Sequence, residues 1–213
     1  MPVSAVSRRR LGVVVFTAGA GTLATEISAS RLLAPYFGSS TVVWANIIGL
    51  ILVYLSLGYW LGGKVADRKP EPRLLGWIVL VAALVIAALP FIARPVLDVT
   101  VQGLDTISVG AIVGSFFAAL LLFAVPVTLL GMYSPFAIRL LMRSPHRSGV
   151  VSGTVYGIST AGSIVGTLGT TFYLIPLIGS RAITISLGVA GVVAGLVLLA
   201  TQRWSRWASE QPR

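Results

Sequence analysis

Glu26 stands inside an otherwise apolar run, Leu11–Leu33, about 6 Å from its midpoint at a helical rise of 1.5 Å per residue. A carboxylate at that depth of a bilayer is costly, and such residues mark ion or substrate paths. Two chemistries suit it: a proton-coupling site, or a counter-ion for a cationic ligand. The bland alternative is a structural pair with Arg31 or a backbone group. Ala18, Thr22, Glu26 and Ser30 are four apart, so they share one helical stripe that should face a bundle interior.

Other polar groups could join it. Arg31 either snorkels outward, pairs with Glu26 or Asp98, or binds an anionic group. Trp44, Asn46 and Tyr54 share the next apolar run, where Asn46 is either a ligand contact or a hydrogen-bonded link between helices. Near Tyr156, the hydroxyls of Ser159, Ser163, Thr167 and Thr171 recur every four residues. They either line a polar path or bond back to their own backbone. No catalytic set can be assembled. His146 is the only histidine, cysteine is absent, and the six acids (Glu26, Asp67, Glu71, Asp98, Asp105 and Glu210) form no acid–base pair. No catalytic residue, metal site or cofactor is expected.

The elements that must hold these groups are membrane helices. Of 213 residues, 56% are hydrophobic and only 10% charged, against about 25% charged in soluble domains. That composition excludes a soluble globular chain, a disordered chain and a disulfide scaffold. Continuous apolar runs argue against a membrane barrel. Six spans are expected, at about 11–33, 41–61, 74–92, 108–130, 150–174 and 182–201, in a single transmembrane bundle over 11–201. The segments 1–10 and 202–213 are basic tails. The first run is too long for the apolar region of a signal peptide and reads as a retained helix. Pro35 and Gly38 should end it.

Net charge is +10. With the N-terminus in the cytoplasm, thirteen of the sixteen cationic residues fall on the cytoplasmic side, and Arg94 and Arg181 fall outside. That asymmetry predicts an even number of spans, both termini cytoplasmic, in the plasma (inner) membrane of a prokaryote. The charge serves lipid contact and orientation rather than nucleic acid. The outer link 93–107 reads as a loop or short interfacial helix. The inner link 132–149 reads as an amphipathic segment, with Arg139 and Arg143 toward lipid phosphates.

Small residues mark helix contacts. Gly58 and Gly62 are one such pair. Gly153, Gly157, Gly162 and Gly166 supply two more stripes later in the chain, extended by Gly149 and Ala161. Three spans per half would put the halves in opposite orientation, a 3+3 inverted repeat. Its sequence trace is the match of Thr41-Val42 and Gly49 to Thr154-Val155 and Gly162.

Two resemblances follow. Gly63-Lys64-Val65-Ala66-Asp67-Arg68 resembles the cytoplasmic loop motif of the major facilitator superfamily, which implies a helix lock or gate at Gly63, Asp67 and Arg68. Pro70 stands where that pattern has glycine. More widely, Glu26-Ile27-Ser28-Ala29-Ser30-Arg31-Leu32-Leu33-Ala34-Pro35-Tyr36-Phe37-Gly38 resembles the first span and loop of the membrane-embedded spermidine-synthase-like proteins. Trp44, Leu57 to Arg68, Gly131-Met132-Tyr133-Ser134-Pro135-Phe136 and Gly162 to Thr167 continue that likeness over most of 21–181. The resemblance implies a facilitator-like bundle, half the usual size, joined in the family to a soluble aminopropyltransferase domain. No glycine-rich cofactor loop occurs in this chain, so it is not expected to be an enzyme on its own.

Three functions fit these readings. The chain is a membrane module that binds or moves a small, cationic, polyamine-type solute and anchors a separate aminopropyltransferase-like subunit. Alternatively, it is a half-size transporter acting as a homodimer, or a structural assembly protein in the lipid bilayer.

Overall fold

The computed structural model describes the backbone of residues 5–102, 110–142 and 148–209, and the side chains of residues 11–100, 112–142 and 148–200. Among these residues every element is helical: α1 (Ala5–Phe37), α2 (Thr41–Arg68), α3 (Pro72–Gln102), α4 (Gly110–Leu141), α5 (Ser148–Gly169), a π-helical turn (Thr170–Leu174) and α6 (Ile175–Ser209). Five helical stretches are long and apolar enough to cross a membrane. The fifth, Ser148–Ala200, contains the π turn and a break at Gly179, whose φ of 74° and ψ of 161° leave helical space. Only glycine takes that backbone without strain.

Local chemistry sets the boundaries. Gly38, at φ 78°, closes α1 by donating its N–H to the Ala34 carbonyl. Ser40 caps α2 by accepting from the Val43 N–H. Pro35, expected to stop α1, lies within its last turn, and the helix ends two residues later at Phe37. The link after residue 93 was expected to leave the helix, but α3 continues through Pro90 and Pro95 to Gln102. The inner link is corrected likewise. Residues 132–141 are the last turns of α4, and Met132, Tyr133, Phe136 and Ala137 are buried there. Their apolar side chains find a core, so that segment does not lie on lipid. Asp105, Arg143, His146, Arg147 and the basic tails lie outside the described side chains.

Helices pair as α1 with α5, α2 with α4, and α3 with α6. Two cores fill the bundle. One, toward the ends of α1 and α3 and the starts of α2 and α4, gathers Leu33, Ile47, Ile51, Leu97 and Phe123. The other, at the opposite end, gathers Val15, Leu75, Phe136 and Val155.

The α1–α5 and α2–α4 seams are backbone against backbone. A Cβ on Gly58 would overlap the Thr128 carbonyl oxygen, and one on Gly62 would lie 2.6 Å from that of Met132. A Cβ on Gly131 would lie 2.7 Å from the Leu55 carbonyl oxygen. Across the other seam, Gly162 meets Phe16, Gly166 meets Ala20 and Gly19 meets Ser159, each at the partner's carbonyl oxygen. The two seams correspond residue for residue. Phe16, Gly19 and Ala20 become Thr128, Gly131 and Met132 at a constant shift of 112. Leu55, Gly58 and Gly62 become Ser159, Gly162 and Gly166 at a constant shift of 104. Both pairs run in parallel, while α3 and α6 cross antiparallel, with Gly188 on Ala87, Gly191 on Ala83 and Gly195 on Leu80.

Two glycine expectations are corrected. A Cβ on Gly153 or Gly157 would meet nothing within 4 Å, so among the described residues neither packs against a helix. Gly49 is equally open while Gly162 is tightly packed, so the Thr41–Gly49 and Thr154–Gly162 match is not an equivalence of environment. Gly49, Gly153 and Gly157 have the right spacing, but each faces away from the neighbouring helix.

Gly58→Val and Gly162→Val should each cost about 1–3 kcal/mol of stability through overpacking, read as a lower unfolding temperature in detergent. Gly153→Val should leave that temperature unchanged.

Candidate functional site

α1 places Glu26 half-buried on its length. It makes no ion pair and no hydrogen bond with any described residue. Tyr59 of α2 lies within electrostatic reach of both Glu26 and Tyr156 of α5. Three helices therefore bring one carboxylate and two phenols to one face. Tyr59 and Tyr156 are about half exposed, so the face is open. This arrangement can neutralise a cation with Glu26 and hold it against tyrosine rings, an attraction worth about 0.5–2 kcal/mol per ring.

The rest of the Glu26 stripe is spent locally. Thr22 donates to the Ala18 carbonyl at 2.9 Å, and Ser30 donates to the Ile27 carbonyl at 2.9 Å. Arg31 has no ion pair with Glu26 or Asp98. It lines a separate cavity of about 380 Å³ with Ser30, Thr41, Trp44 and Thr171. Arg31 and Trp44 are thus brought together, at the bundle end away from Asp67.

Three expected ligand contacts are committed elsewhere. Asn46 donates to the Ile112 carbonyl at 3.0 Å and to Ser115 Oγ at 3.2 Å, which ties α2 to α4. Tyr54 donates to the Leu120 carbonyl at 3.0 Å along the same seam. Ser163 donates to the Gly19 carbonyl at 3.1 Å, and Ser159 packs against that glycine. Asn46, Tyr54 and Ser163 thus join helices, and the donors they use are not free for a solute. The hydroxyl row is also interrupted, because the π turn beginning at Thr170 shifts Thr171 out of the α-helical register.

Asp67 and Arg139 form an ion pair at 3.1 Å between the ends of α2 and α4. Arg139 was read as a lipid contact. It reaches Asp67 because α4 extends one turn past the buried Phe136. Gly63, one turn before Asp67, leaves room beside Pro135, which lies 4.0 Å from the position of its Cβ. Arg68 is exposed, and Lys64 Nζ stacks 3.6 Å above the Trp60 ring. Among the described residues no group of three or more histidines, cysteines or acids could hold a metal ion.

Tyr59 was not singled out from sequence. Its position beside Gly58 does carry a signal: Gly58 faces α4, so the next residue, 100° round the helix, leaves that seam. Comparison with family models, curated proteins and solved structures returns no match. The class that fold and site define is an all-helical bundle with membrane-spanning capacity and an open face bearing an unpaired carboxylate.

The Asp67–Arg139 pair is solvent-accessible, Asp67 being 75% exposed. A double-mutant cycle with Asp67→Asn and Arg139→Gln should therefore give a coupling of about 0.2–1 kcal/mol that shrinks with salt. A coupling several times larger would show that the pair is shielded from water.

Proposed function

We propose that this chain is a six-span, half-size facilitator-type module of the spermidine-synthase-like kind, which binds and moves a small cationic amine at Glu26. The observation that carries the reading is the unpaired Glu26 carboxylate beside Tyr59, which also reaches Tyr156, on an open face. A half-buried carboxylate without a partner is unfavourable in a membrane-spanning helix, and a cationic solute supplies the missing charge. Tyr59 and Tyr156 hold that solute by their ring faces.

The arrangement of the halves is an inverted repeat, α1–α3 and α4–α6. Its support is the recurrence of the three glycine contacts at shifts of 112 and 104. Exchanging the halves turns the α1–α5 seam into the α4–α2 seam and leaves α3–α6 facing itself. The sixth span rests on the break at Gly179. An unbroken helix of 53 residues would run about 80 Å, well beyond a hydrocarbon core of about 30 Å. Both termini then face the cytoplasm, and a second copy closes the Glu26 face as the second half does in a full-size facilitator. The open glycines Gly153 and Gly157 suit that contact. The exposed basic groups at the α2 end, Lys64 and Arg68, fall on the cytoplasmic side, where a soluble aminopropyltransferase-like subunit would dock.

Uptake of labelled spermidine by proteoliposomes tests the site. Wild type should show saturable flux. Glu26→Gln should lower it at least tenfold while eluting as a folded protein, and Glu26→Asp should retain part of it. Equal flux through Glu26→Gln would refute the role given to Glu26. Span count is tested separately, because the chain lacks cysteine. A cysteine at Leu177, 76% exposed beside the break, should react with an impermeant maleimide from outside intact cells. A cysteine at Lys69 should react only after permeabilisation. Protection of Leu177→Cys would mean five spans.

A further inference from the structure

A second binding space lies on the far side of α1. A cavity of about 540 Å³ opens between α1, α3, α4, the end of α5, the π turn and α6, a volume typical of small-molecule sites. No residue lining it carries a charge. Small residues make the room, among them Gly21 and Ala24 of α1, Ala82 of α3 and Ala194 of α6.

Two features separate this space from a packing void. Tyr133 of α4 is only 4% exposed, lines the cavity, and its hydroxyl has no hydrogen-bond partner. A buried hydroxyl left unpaired is penalised; its oxygen is closed off from the open space, so an acceptor entering the cavity pairs with it once the Tyr133 ring turns toward the cavity. The π turn also contributes Thr170, Tyr173 and Leu174 to the wall. π-helical segments recur at functional sites because the wider turn interrupts regular hydrogen bonding.

The mouth has a direction. Among the described residues α5 and α6 do not pack on each other; the π turn joins them and α1 packs against both. Val165 and Tyr173 on one side and Ala190 on the other are exposed while also lining the cavity. The opening is therefore lateral, between helices, where a membrane-spanning bundle meets lipid tails.

We infer that this cavity binds a single-chain amphiphile with an uncharged polar end, an alcohol, ester or ketone oxygen that accepts a hydrogen bond from Tyr133. The chain lies along the apolar wall and enters from the bilayer. A carboxylate or amine head is disfavoured, since the wall offers no counter-charge. This site is distinct from the Glu26 face: Glu26 does not line the cavity.

The test uses the full chain in lipid nanodiscs with a diazirine-bearing C16 alcohol, photolysed and mapped by mass spectrometry. Adducts should fall on peptides containing Thr17–Thr25 and Thr170–Leu174, and excess hexadecanol should compete them away. Tyr133→Phe keeps the ring and removes the hydroxyl. It should weaken hexadecanol competition about 3–10-fold while leaving competition by hexadecane unchanged. Ala190→Trp, at the exposed rim, should block both. Glu26→Gln should alter neither. Unchanged hexadecanol competition in Tyr133→Phe would overturn the inference, as would absence of cavity adducts. Equal labelling by a diazirine on a diacyl phospholipid tail would also overturn it, because ordinary bilayer chains would then fill the space.

Discussion

Backbone contact at the two glycine seams is the constraint on which the rest of the bundle depends. In lipid, apolar side chains gain little by leaving one hydrocarbon environment for another, so helices associate through close van der Waals fit. Gly58, Gly62 and Gly131 let α2 and α4 touch, and Gly19, Gly162 and Gly166 do the same for α1 and α5. Once the backbones are that close, side-chain donors reach carbonyls on the neighbouring helix. Asn46 and Tyr54 do so across one seam, and Ser163 across the other. The hydrogen bonds follow from the approach and then fix its register.

The same tight pairing leaves helix faces unsatisfied. α2 packs mainly on α4, and α5 mainly on α1, so each keeps a long exposed apolar side. Trp44, Tyr59 and Trp60 lie on that side of α2, and Tyr156, Ile164 and Val165 on that of α5. An apolar exterior is what a bilayer solvates. It also explains why the phenols beside Glu26 are accessible: the residues that build the seam and the residues that flank the carboxylate occupy different faces of the same helices.

Periodicity made much of this readable from sequence. The apolar runs located the helices, and the GxxxG spacing pointed correctly to Gly58 with Gly62 and Gly162 with Gly166. It pointed equally to Gly153 and Gly157, which pack on nothing among the described residues, because spacing identifies a stripe without saying which stripe meets a neighbour. Residue type was ambiguous in a similar way. Asn46, Tyr54 and Ser163 looked like solute contacts, yet each serves a backbone carbonyl on another helix, up to 144 positions away. Boundaries failed where tertiary burial outweighed local polarity. Arg139 suggested an interface, but Phe136 and Ala137 are buried and carry α4 onward. The π turn left no periodic trace at all, since one extra residue in a turn is smaller than the noise in a hydrophobic stripe.

α1 finally separates two kinds of chemistry by a single step along its sequence. Thr25 lines the uncharged cavity, while Glu26 stands near Tyr59. Successive helical residues point about 100° apart, enough to put them in different compartments. Thr25 is closed to further donation, because its hydroxyl already serves the Gly21 carbonyl at 2.7 Å. That bond lets an otherwise polar residue face an apolar space. A charge on the Thr25 side would have no partner in the cavity, and an apolar side chain at position 26 would leave the tyrosine face without its anion. The one-residue offset therefore sets a carboxylate on one side of the helix and an uncharged cavity wall on the other.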